Sequence, residues 1–382
     1  MKPVLATRGK RGQTLWRAVY LTWKSHARRG SDPFCHGLLV NFALFIAAIS
    51  NAYAVEPAVR PPQDVARELL QVYGKKLDAV AYIPAVAVHA RWCFGKLTDD
   101  PSQCATVETI LGGNRPLPKS HTEFAGHLVF ATVARDSTGE LRDRTLAAVS
   151  KAADQLFDGS DPANVRLPSP QEMSDAVFMC GPILCEAGSL TGQVRYFDGT
   201  TRYLSEMRKL RQRDDGLYRH GHLCDAAWGR GNGFPAVGAA WCLTRFPADH
   251  PGRAELLKSF QQHMAALAKH QTTNGTWRQL IDVPEAYEEF SATAMIGFAM
   301  QRGVASGWLD RATYQPLADR AWEAVCRRIE PGGKIIDVCE GTGTQKSLED
   351  YLKRKAIRGV DDRGGAMGLL FAIERMSTNK PK

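Results

Sequence analysis

The feature that most constrains this chain is a succession of apolar segments with helical spacing, which begins near residue 61 and continues to about residue 376. Short breaks rich in Gly, Pro, Asp or Asn separate the segments, as expected for helices joined by tight connections. The pattern is clearest at 252–270, where the apolar positions are Leu256, Leu257, Phe260, Met264 and Leu267. Alternation typical of strands is scarce, and 334–338 is the best strand candidate. The pattern predicts an all-α chain.

The predicted helices number twelve and, with short connections, form six antiparallel pairs. Their spans are 61–73, 79–95, 121–135, 140–157, 171–189, 194–210, 231–247, 252–270, 288–303, 311–328, 345–355 and 362–376. The weakest pattern is that of 345–355. No linker divides this part of the chain, and one helical domain of roughly 300 residues is large but allowed. Six pairs suggest a toroid, although the periodicity does not by itself give closure.

The first 54 residues have the layout of an export signal. They hold eight Lys and Arg residues and one acidic residue, followed by an apolar run at 37–49. Ala52, Tyr53 and Ala54 then place a larger residue between two small ones, as a signal peptidase site requires. We predict a signal peptide at 1–54, a single domain at 55–382 and a periplasmic or secreted protein. Because the leader is long, an uncleaved anchor is the alternative, although a permanent span needs ~20 apolar residues.

The formal net charge of +9 is concentrated in this leader. Of 49 Lys and Arg and 40 Asp and Glu in the chain, residues 55–382 hold 41 and 39, a net charge of +2. This part has no basic stripe, which argues against nucleic acid as a partner. It also offers no segment for stable membrane insertion once the leader is cleaved.

Eight cysteines follow the leader, and none forms a C-x-x-C pattern, so no zinc site is predicted. Cys180, Cys242 and Cys326 fall inside apolar helical patterns, which favours buried free thiols. A few of the eight cysteines are candidates for pairing in an oxidising compartment.

The segment 228–234 combines three glycines with Trp228, Arg230, Asn232 and Phe234. Glycine allows close approach to the main chain, and a guanidinium offers a planar fork of donors suited to a carboxylate. The segment is predicted as a loop that leads into a helix. From the residues alone, a tight interhelical turn with an aromatic plug is as reasonable as a binding pocket.

Further motifs accompany this segment in a fixed order, at 215–221, 247–251, 275–279, 289–295 and 341–343. In that order and at those spacings, the chain resembles the unsaturated glucuronyl and rhamnogalacturonyl hydrolases, glycoside hydrolase families 88 and 105, and is more similar to family 105. The resemblance covers residues 170–376 well and residues 60–169 only loosely. It implies an (α/α)6 barrel, also called a six-hairpin toroid.

Asp175 opens an apolar helical pattern in which Val177, Phe178 and Ile183 are expected to be buried. Desolvation there would disfavour the ionised carboxylate and make it a proton donor. The alternative is an ordinary acid at a helix start, where the macrodipole favours the charged form. The resemblance favours the first reading, because the family's general acid/base aspartate stands in the setting that Asp175 matches.

His220 is followed at alternate positions by His222 and Cys224, a spacing that fits none of the common zinc patterns. From the residues alone, His220 is expected to be a loop histidine without a special role. The resemblance implies instead that His220 lines the sugar pocket, whereas His222 has no counterpart. It also implies that Trp228, Arg230 and Asn232 contact substrate, with Arg230 holding its carboxylate.

The chain departs from the family near residues 120–127, where a second pocket aspartate is expected. His121 and Glu123 are the candidates to replace it as substrate-binding residues, although Glu123 also suits a first-turn acid. Phe234 replaces a family tryptophan and Phe290 a family threonine. The departure at 120–127 affects the second carboxylate and the leaving-sugar contacts.

The activity that the resemblance implies is hydrolysis of an unsaturated uronic acid from the non-reducing end of lyase-generated oligosaccharides. An enol ether of this kind reacts by protonation. One well-placed aspartate, acting first as acid and then as base, therefore suffices, and no metal or cofactor is implied. An ordinary inverting glycosidase and a non-catalytic sugar-binding protein are the alternatives on the same toroid. The first of these needs two carboxylates ~6.5–9.5 Å apart.

Overall fold

The protein is described from a computed structural model. The structure describes residues 59–113, 116–159 and 161–378. The predicted signal peptide at 1–54 and its cleavage site therefore lie outside the described residues. No helix within the described part is both long enough and apolar enough to span a bilayer.

Helices dominate the described part of the chain. They are α1 (Pro62–Leu70), α2 (Tyr82–Thr98), α3 (Pro101–Ile110), α4 (His121–Gly126), α5 (Leu128–Asp136), α6 (Gly139–Asp154), α7 (Ala176–Thr191), α8 (Val194–Arg211), α9 (Gly229–Arg245), α10 (Gly252–Ala268), α11 (Phe290–Ala305), α12 (Arg311–Arg327), α13 (Leu348–Leu352) and α14 (Asp362–Thr378).

An inner ring is formed by α2, the pair α4 and α5, α7, α9, α11 and α14. Each member packs against the next, and α14 packs against α2, which closes the ring. The helices α4 and α5 meet at His127 and act as one interrupted inner element. The outer helices α1, α3, α6, α8, α10 and α12 pack around this ring. The predicted (α/α)6 barrel is confirmed.

Burial separates inner from outer helices. Fourteen of the 16 residues of α11 are buried, whereas only four of the 16 residues of the outer helix α6 are. A helix that is apolar on every face must be surrounded by other elements, which is the situation of the inner ring. The core therefore runs around the barrel between the two layers.

One predicted helix is wrong and one was missed. The span 345–355 holds only the short α13, which is not part of either layer. The second outer helix is instead α3, which buries Val107 alone and so shows no apolar stripe in the sequence. Its start does carry a recognisable signal, because Asp100 accepts a hydrogen bond from the N–H of Ser102 and Pro101 occupies the first turn.

Short antiparallel strands form in the connections. They are β1 (Phe157–Asp158) with β2 (Asp161–Val165), β3 (Trp277–Arg278) with β4 (Glu288–Glu289), and β5 (Ile329–Glu330), β6 (Lys334–Cys339) and β7 (Ala356–Gly359) in that order. The predicted strand at 334–338 is confirmed as β6. Its last residue, Cys339, donates its N–H to Glu289 Oε1 at 2.9 Å, which fixes β6 beside the start of α11.

The inner helices all begin at the same end of the barrel, because inner and outer helices alternate along the chain as antiparallel partners. We call this end the N-terminal rim. The residues that open its helices are Tyr82, His121, Ala176, Gly229, Phe290 and Asp362. The first N–H groups of a helix lack intrahelical partners and carry its positive dipole end. The rim is therefore suited to polar and anionic ligands.

All eight cysteines of the described part are free, and Cys180, Cys242 and Cys326 are buried, as predicted. No three His, Cys, Asp or Glu side chains in the described ranges are grouped so as to hold a metal ion. His222 and Cys224 accordingly take no part in such a cluster.

Candidate active site

Asp175 lies at the N-terminal rim, immediately before α7, with 14% of its side chain exposed. Its Oδ2 is 3.2 Å from Nε2 of His220. Both atoms are buried, and among the described residues neither completes a well-directed hydrogen bond. The two atoms are within hydrogen-bond distance of each other, but the contact does not meet the full geometric criteria of a hydrogen bond. Buried polar atoms left in this state are unusual and mark a place where a ligand can complete the bonding.

His220 is fully buried and held from several sides. Its backbone accepts the N–H of Ser174 at 2.9 Å and donates to the carbonyl of Ala226 at 3.0 Å. Its ring lies against Trp228, with centroids 4.3 Å apart, and its Nδ1 is 2.7 Å from the hydroxyl of Tyr351. The structure thus brings the two predicted residues Asp175 and His220 together.

Gly229 opens α9 two residues before the predicted start at 231, so Arg230 stands on the first turn of the helix and not in a preceding loop. A Cβ at Gly229 would lie 2.5 Å from the carbonyl oxygen of Arg278. The N–H of Gly229 also donates to Gln279 at 2.7 Å. The close approach expected at this glycine is real, and the approaching group is the protein's own main chain.

Arg230 is 3% exposed and bonded within the protein. Its Nη1 donates to Ser291 Oγ at 3.1 Å and to the Cys339 carbonyl at 2.8 Å, and its Nη2 donates to the Glu340 carbonyl at 2.9 Å. The guanidinium also lies over Trp228, 4.5 Å from the ring centroid. Three of the five N–H donors are therefore used within the protein, two at the end of β6 and one at the start of α11. The predicted grip on a substrate carboxylate stays a prediction that this geometry does not favour.

Asn232 is fully buried and joins three parts of the site. Its Oδ1 accepts the N–H of Tyr218 at 2.8 Å, and its Nδ2 donates to the carbonyls of Tyr218 at 2.9 Å and Trp228 at 3.0 Å. Nε2 of His263 is a further 3.2 Å contact of Oδ1. An amide engaged in this way holds the loop before His220 onto α9. Its predicted contact with sugar is likewise not favoured.

Tyr82 was not predicted as a site residue, since nothing in the local sequence distinguishes it. It opens α2, is half-buried and packs edge-on against Phe234 with centroids 5.5 Å apart. Burial raises the pKa of its phenol to about 12, and the charges of Arg230, Asp175 and Arg363 also act on it. Tyr82 therefore belongs to the same charged centre. It also lines a cleft of about 970 Å³ with Thr122 and Arg363.

His121 and Glu123 lie on the same rim but do not meet Asp175. The carboxylate of Glu123 accepts the N–H of Lys119 at 2.9 Å and the hydroxyl of Ser120 at 3.1 Å, as an acid at a helix start does. His121 Nδ1 lies 3.0 Å from Glu172 Oε1. His121 and Glu172 line a second cleft, of about 1250 Å³. Among the described residues, no hydrogen bond or ion pair joins either of them to Asp175.

The three clefts of this side of the rim adjoin one another. The one at Tyr82 shares Ala81 and Thr122 with a middle cleft of about 810 Å³, and the middle cleft shares Lys119 with the one at His121. They form a trough along the rim, which we call the rim trough. Its lining comes mostly from residues 78–124, the part of the chain that is least similar to the family in sequence.

The sequence profile of glycosyl hydrolase family 88 matches residues 133–379. This match covers more than half of the chain and includes Asp175, His220, Trp228 and Arg230. The chain belongs to glycosyl hydrolase family 88. His121, Glu123 and Tyr82 precede the matched region.

Curated relatives of this family 88 member include two bacterial enzymes. The chain is 27% identical over 218 residues to the unsaturated rhamnogalacturonyl hydrolase YesR of Bacillus subtilis. This alignment covers 55% of this chain and 61% of that protein. It is 29% identical over 179 residues to an unsaturated 3S-rhamnoglycuronyl hydrolase of Formosa agariphila, 42% of this chain and 48% of that protein. The chain thus aligns with less than two thirds of the length of either relative.

Solved structures share the fold over a larger part of the chain. A possible member of family 105 from Klebsiella pneumoniae superposes with a TM-score of 0.72 at 19% identity, covering 84% of this chain and 95% of that one. A family 88 glycosyl hydrolase from Bacteroides vulgatus gives a TM-score of 0.64 at 19% identity, covering 84% and 100%. These likenesses establish the barrel, including the front part that the sequence profile does not match.

Proposed function

We propose that this family 88 member is a glycoside hydrolase that releases a 4,5-unsaturated uronic acid from the non-reducing end of lyase-generated oligosaccharides. The observation that carries the proposal is the pair of buried, incompletely bonded atoms, Asp175 Oδ2 and His220 Nε2, at the rim where the inner helices begin. Family membership supports it, and so does the likeness to an unsaturated rhamnogalacturonyl hydrolase and an unsaturated 3S-rhamnoglycuronyl hydrolase.

In the proposed reaction, Asp175 gives its proton to C4 of the C4=C5 bond, and the positive charge at C5 is shared with the ring oxygen. Water then adds at C5 and returns a proton to the Asp175 carboxylate. The hemiketal opens by breaking the bond between C5 and the ring oxygen, which leaves a ketone at C5 and a hemiacetal at C1. Collapse of this hemiacetal expels the next sugar. One titrating carboxyl serves both proton transfers.

The substrate carboxylate is proposed to lie at the starts of α7 and α9. The positive ends of the two helix dipoles favour an anion there. Arg230 stands on the first turn of α9, and its Nη1 is 3.8 Å from Oε1 of Glu289. Arg230 would act through its charge while its donors remain bonded to the protein. The leaving sugar is assigned to the rim trough, which begins at Tyr82.

Export to the periplasm or the medium is proposed from the leader at 1–54, with cleavage after Ala54. Amino-terminal sequencing of the protein from its native host tests this. A mature chain that still begins near Met1 contradicts it.

The test of the activity uses unsaturated disaccharides made by a polysaccharide lyase. We expect loss of the ultraviolet absorbance of the enol ether together with release of the second sugar in equal amount. Saturated analogues serve as the matched control, because turnover of these would favour an ordinary inverting glycosidase. An intact disaccharide after long incubation, with binding detected by calorimetry, would instead favour a sugar-binding protein.

A further inference from the structure

Tyr351 joins the candidate site from a distant part of the chain. It lies on the short helix α13 and is 1% exposed. Its hydroxyl oxygen is 2.7 Å from Nδ1 of His220, on the side of the ring opposite the Nε2 that faces Asp175. The imidazole is thus placed between a phenol and a carboxyl.

The bonding of Tyr351 decides which way its proton points. Burial raises the pKa of this phenol well above its usual value, so the hydroxyl keeps its proton over the working range of an enzyme. The backbone N–H of Gln345 donates to the same oxygen at 3.2 Å. Because the Gln345 N–H donates to the oxygen, the proton of the hydroxyl can itself be donated to another group. Nδ1 of His220, 2.7 Å away, is placed to accept it.

We infer that Tyr351 is a positioning residue that holds His220 in the neutral tautomer with its proton on Nε2. Nδ1 then accepts from the phenol, and Nε2–H faces Asp175 Oδ2. A histidine tautomer is set by the hydrogen bond that the other ring nitrogen makes, so a phenol donor at Nδ1 is sufficient to fix it.

The tautomer matters for the proposed reaction, on which this part of the inference rests. With the proton on Nε2, His220 stabilises the Asp175 carboxylate formed after proton transfer and leaves the acidic proton on the oxygen that faces substrate. With the proton on Nδ1, Nε2 would be unprotonated and would direct its lone pair at Oδ2. It would then repel the carboxylate or take the acid proton away from substrate. Tyr351 thus keeps the proton of Asp175 directed to C4.

The fold fixes Tyr351 independently of His220. Its carbonyl accepts from Nε2 of Gln279 at 2.8 Å, and Gln279 lies in the loop that also bonds Gly229. The bonds from Arg230 to Cys339 and Glu340 hold the start of the segment that leads to α13. Tyr351 is therefore held in place by hydrogen bonds that do not involve His220.

The first experiment reads the tautomer without any substrate. The full chain is labelled with ¹⁵N-histidine, and the two ring nitrogens of His220 are assigned by comparison with His220→Gln. We expect Nδ1 to show the shift of an unprotonated acceptor and Nε2 that of a protonated nitrogen. A protonated Nδ1 in the native protein overturns the inference, whether or not the protein turns over any oligosaccharide.

The second experiment uses Tyr351→Phe, with Tyr287→Phe as the matched control. Tyr287 is a half-buried tyrosine of the same apolar cluster, with its hydroxyl near the Cys339 thiol and no contact with His220. Loss of one neutral hydrogen bond worth about 1–1.5 kcal/mol should lower kcat about tenfold in Tyr351→Phe. KM is expected to change little, because the substrate contacts remain. In Tyr287→Phe both kinetic constants should be those of the native enzyme.

A double-mutant comparison separates positioning from a general packing effect. If Tyr351 acts through His220, Tyr351→Phe should add little to the loss already caused by His220→Gln. Additive losses, or an equal fall in kcat in Tyr287→Phe, would assign the effect to packing and overturn the inference. If no unsaturated oligosaccharide is turned over by the native enzyme, the proposed function fails, while the ¹⁵N result still decides the tautomer.

Discussion

Oδ2 of Asp175 and Nε2 of His220 face each other at 3.2 Å, although the two residues are 45 positions apart in the chain. The backbone bond from Ser174 to the His220 carbonyl, 2.9 Å long, ties the two loops together beside this contact. The carboxyl and the imidazole are therefore held next to each other at the start of an inner helix. This is the arrangement expected of a group that must transfer a proton to one defined atom.

The first prediction concerns Asp175→Asn, which keeps the shape of the side chain and removes its titrating proton. We expect the variant to fold and to bind unsaturated disaccharide with near-native affinity. Its turnover should fall by ~10²–10⁴, the range for loss of a general acid/base group. Absorbance assays and calorimetry measure the two quantities.

Glu123→Gln is the comparison for Asp175→Asn. Its carboxylate holds the first turn of α4, so we expect nearly native turnover and a loss of about 1 kcal/mol in stability, as for a lost helix cap. Retention of more than about a tenth of native turnover in Asp175→Asn would place the acid elsewhere, since the loss would be smaller than an essential proton donor allows. A large loss in Glu123→Gln would then make Glu123 the next candidate.

The sequence predicts the barrel and the central pair of the site for a physical reason. Inner helices bury nearly every face, and this leaves long apolar segments that are easy to recognise, such as α11. Outer helices contact the barrel through one narrow face. Because α3 buries only one residue, its sequence has no apolar pattern from which a helix could be predicted. Asp175 and His220 were found through family motifs, because their local sequences suit ordinary roles equally well.

The partners of the predicted residues could not be read from sequence. The bonds of Arg230 reach Cys339 and Glu340, more than 100 residues away, and the phenol beside His220 comes from Tyr351. These contacts depend on where the loops of different hairpins meet at the rim. A side chain of the right type for substrate can therefore be used by the protein itself, as Arg230 and Asn232 are.

The second prediction concerns Arg230→Lys. An ammonium cannot reproduce the planar set of bonds to Ser291, Cys339 and Glu340. We expect a loss of at least about 2 kcal/mol in the free energy of unfolding, since hydrogen bonds from a charged donor contribute about 1.5–3 kcal/mol each. Chemical denaturation measures it, with Arg358→Lys on the exposed strand β7 as control. A raised KM with unchanged stability would favour direct contact between Arg230 and substrate.

The third prediction concerns Asn232→Asp, which is nearly isosteric. The carbonyls of Tyr218 and Trp228 would then face a carboxylate oxygen in place of an amide donor. A buried group that loses its partner costs about 1–3 kcal/mol, and more when it is charged. We expect a lower melting temperature and a fall in kcat through misplacement of His220. Native stability combined with weaker substrate binding would support the sugar contact instead.

The last prediction concerns Glu186, which lies on α7, is 1% exposed and ties three inner helices together. Its Oε1 accepts from Trp241 Nε1 at 2.7 Å and from Arg245 Nε at 2.8 Å, and its Oε2 accepts from Arg135 Nη2 at 2.5 Å. Burial alone would raise the pKa of this carboxyl, but the two guanidinium groups outweigh burial, and the pKa is lowered.

A group with a lowered folded-state pKa stabilises the protein fully above its unfolded pKa, about 4.3 for a glutamate. That contribution is lost as the pH falls through the folded-state value. Glu186→Ala should therefore cost about 3 kcal/mol at neutral pH, the low end for a broken buried pair, because both arginines reach solvent. The gap in melting temperature between native protein and Glu186→Ala should narrow as the pH falls below about 4.3. Thermal unfolding across this pH range measures the difference in melting temperature. A difference that stays constant with pH would mean that packing, and not the charge of Glu186, holds the three helices together.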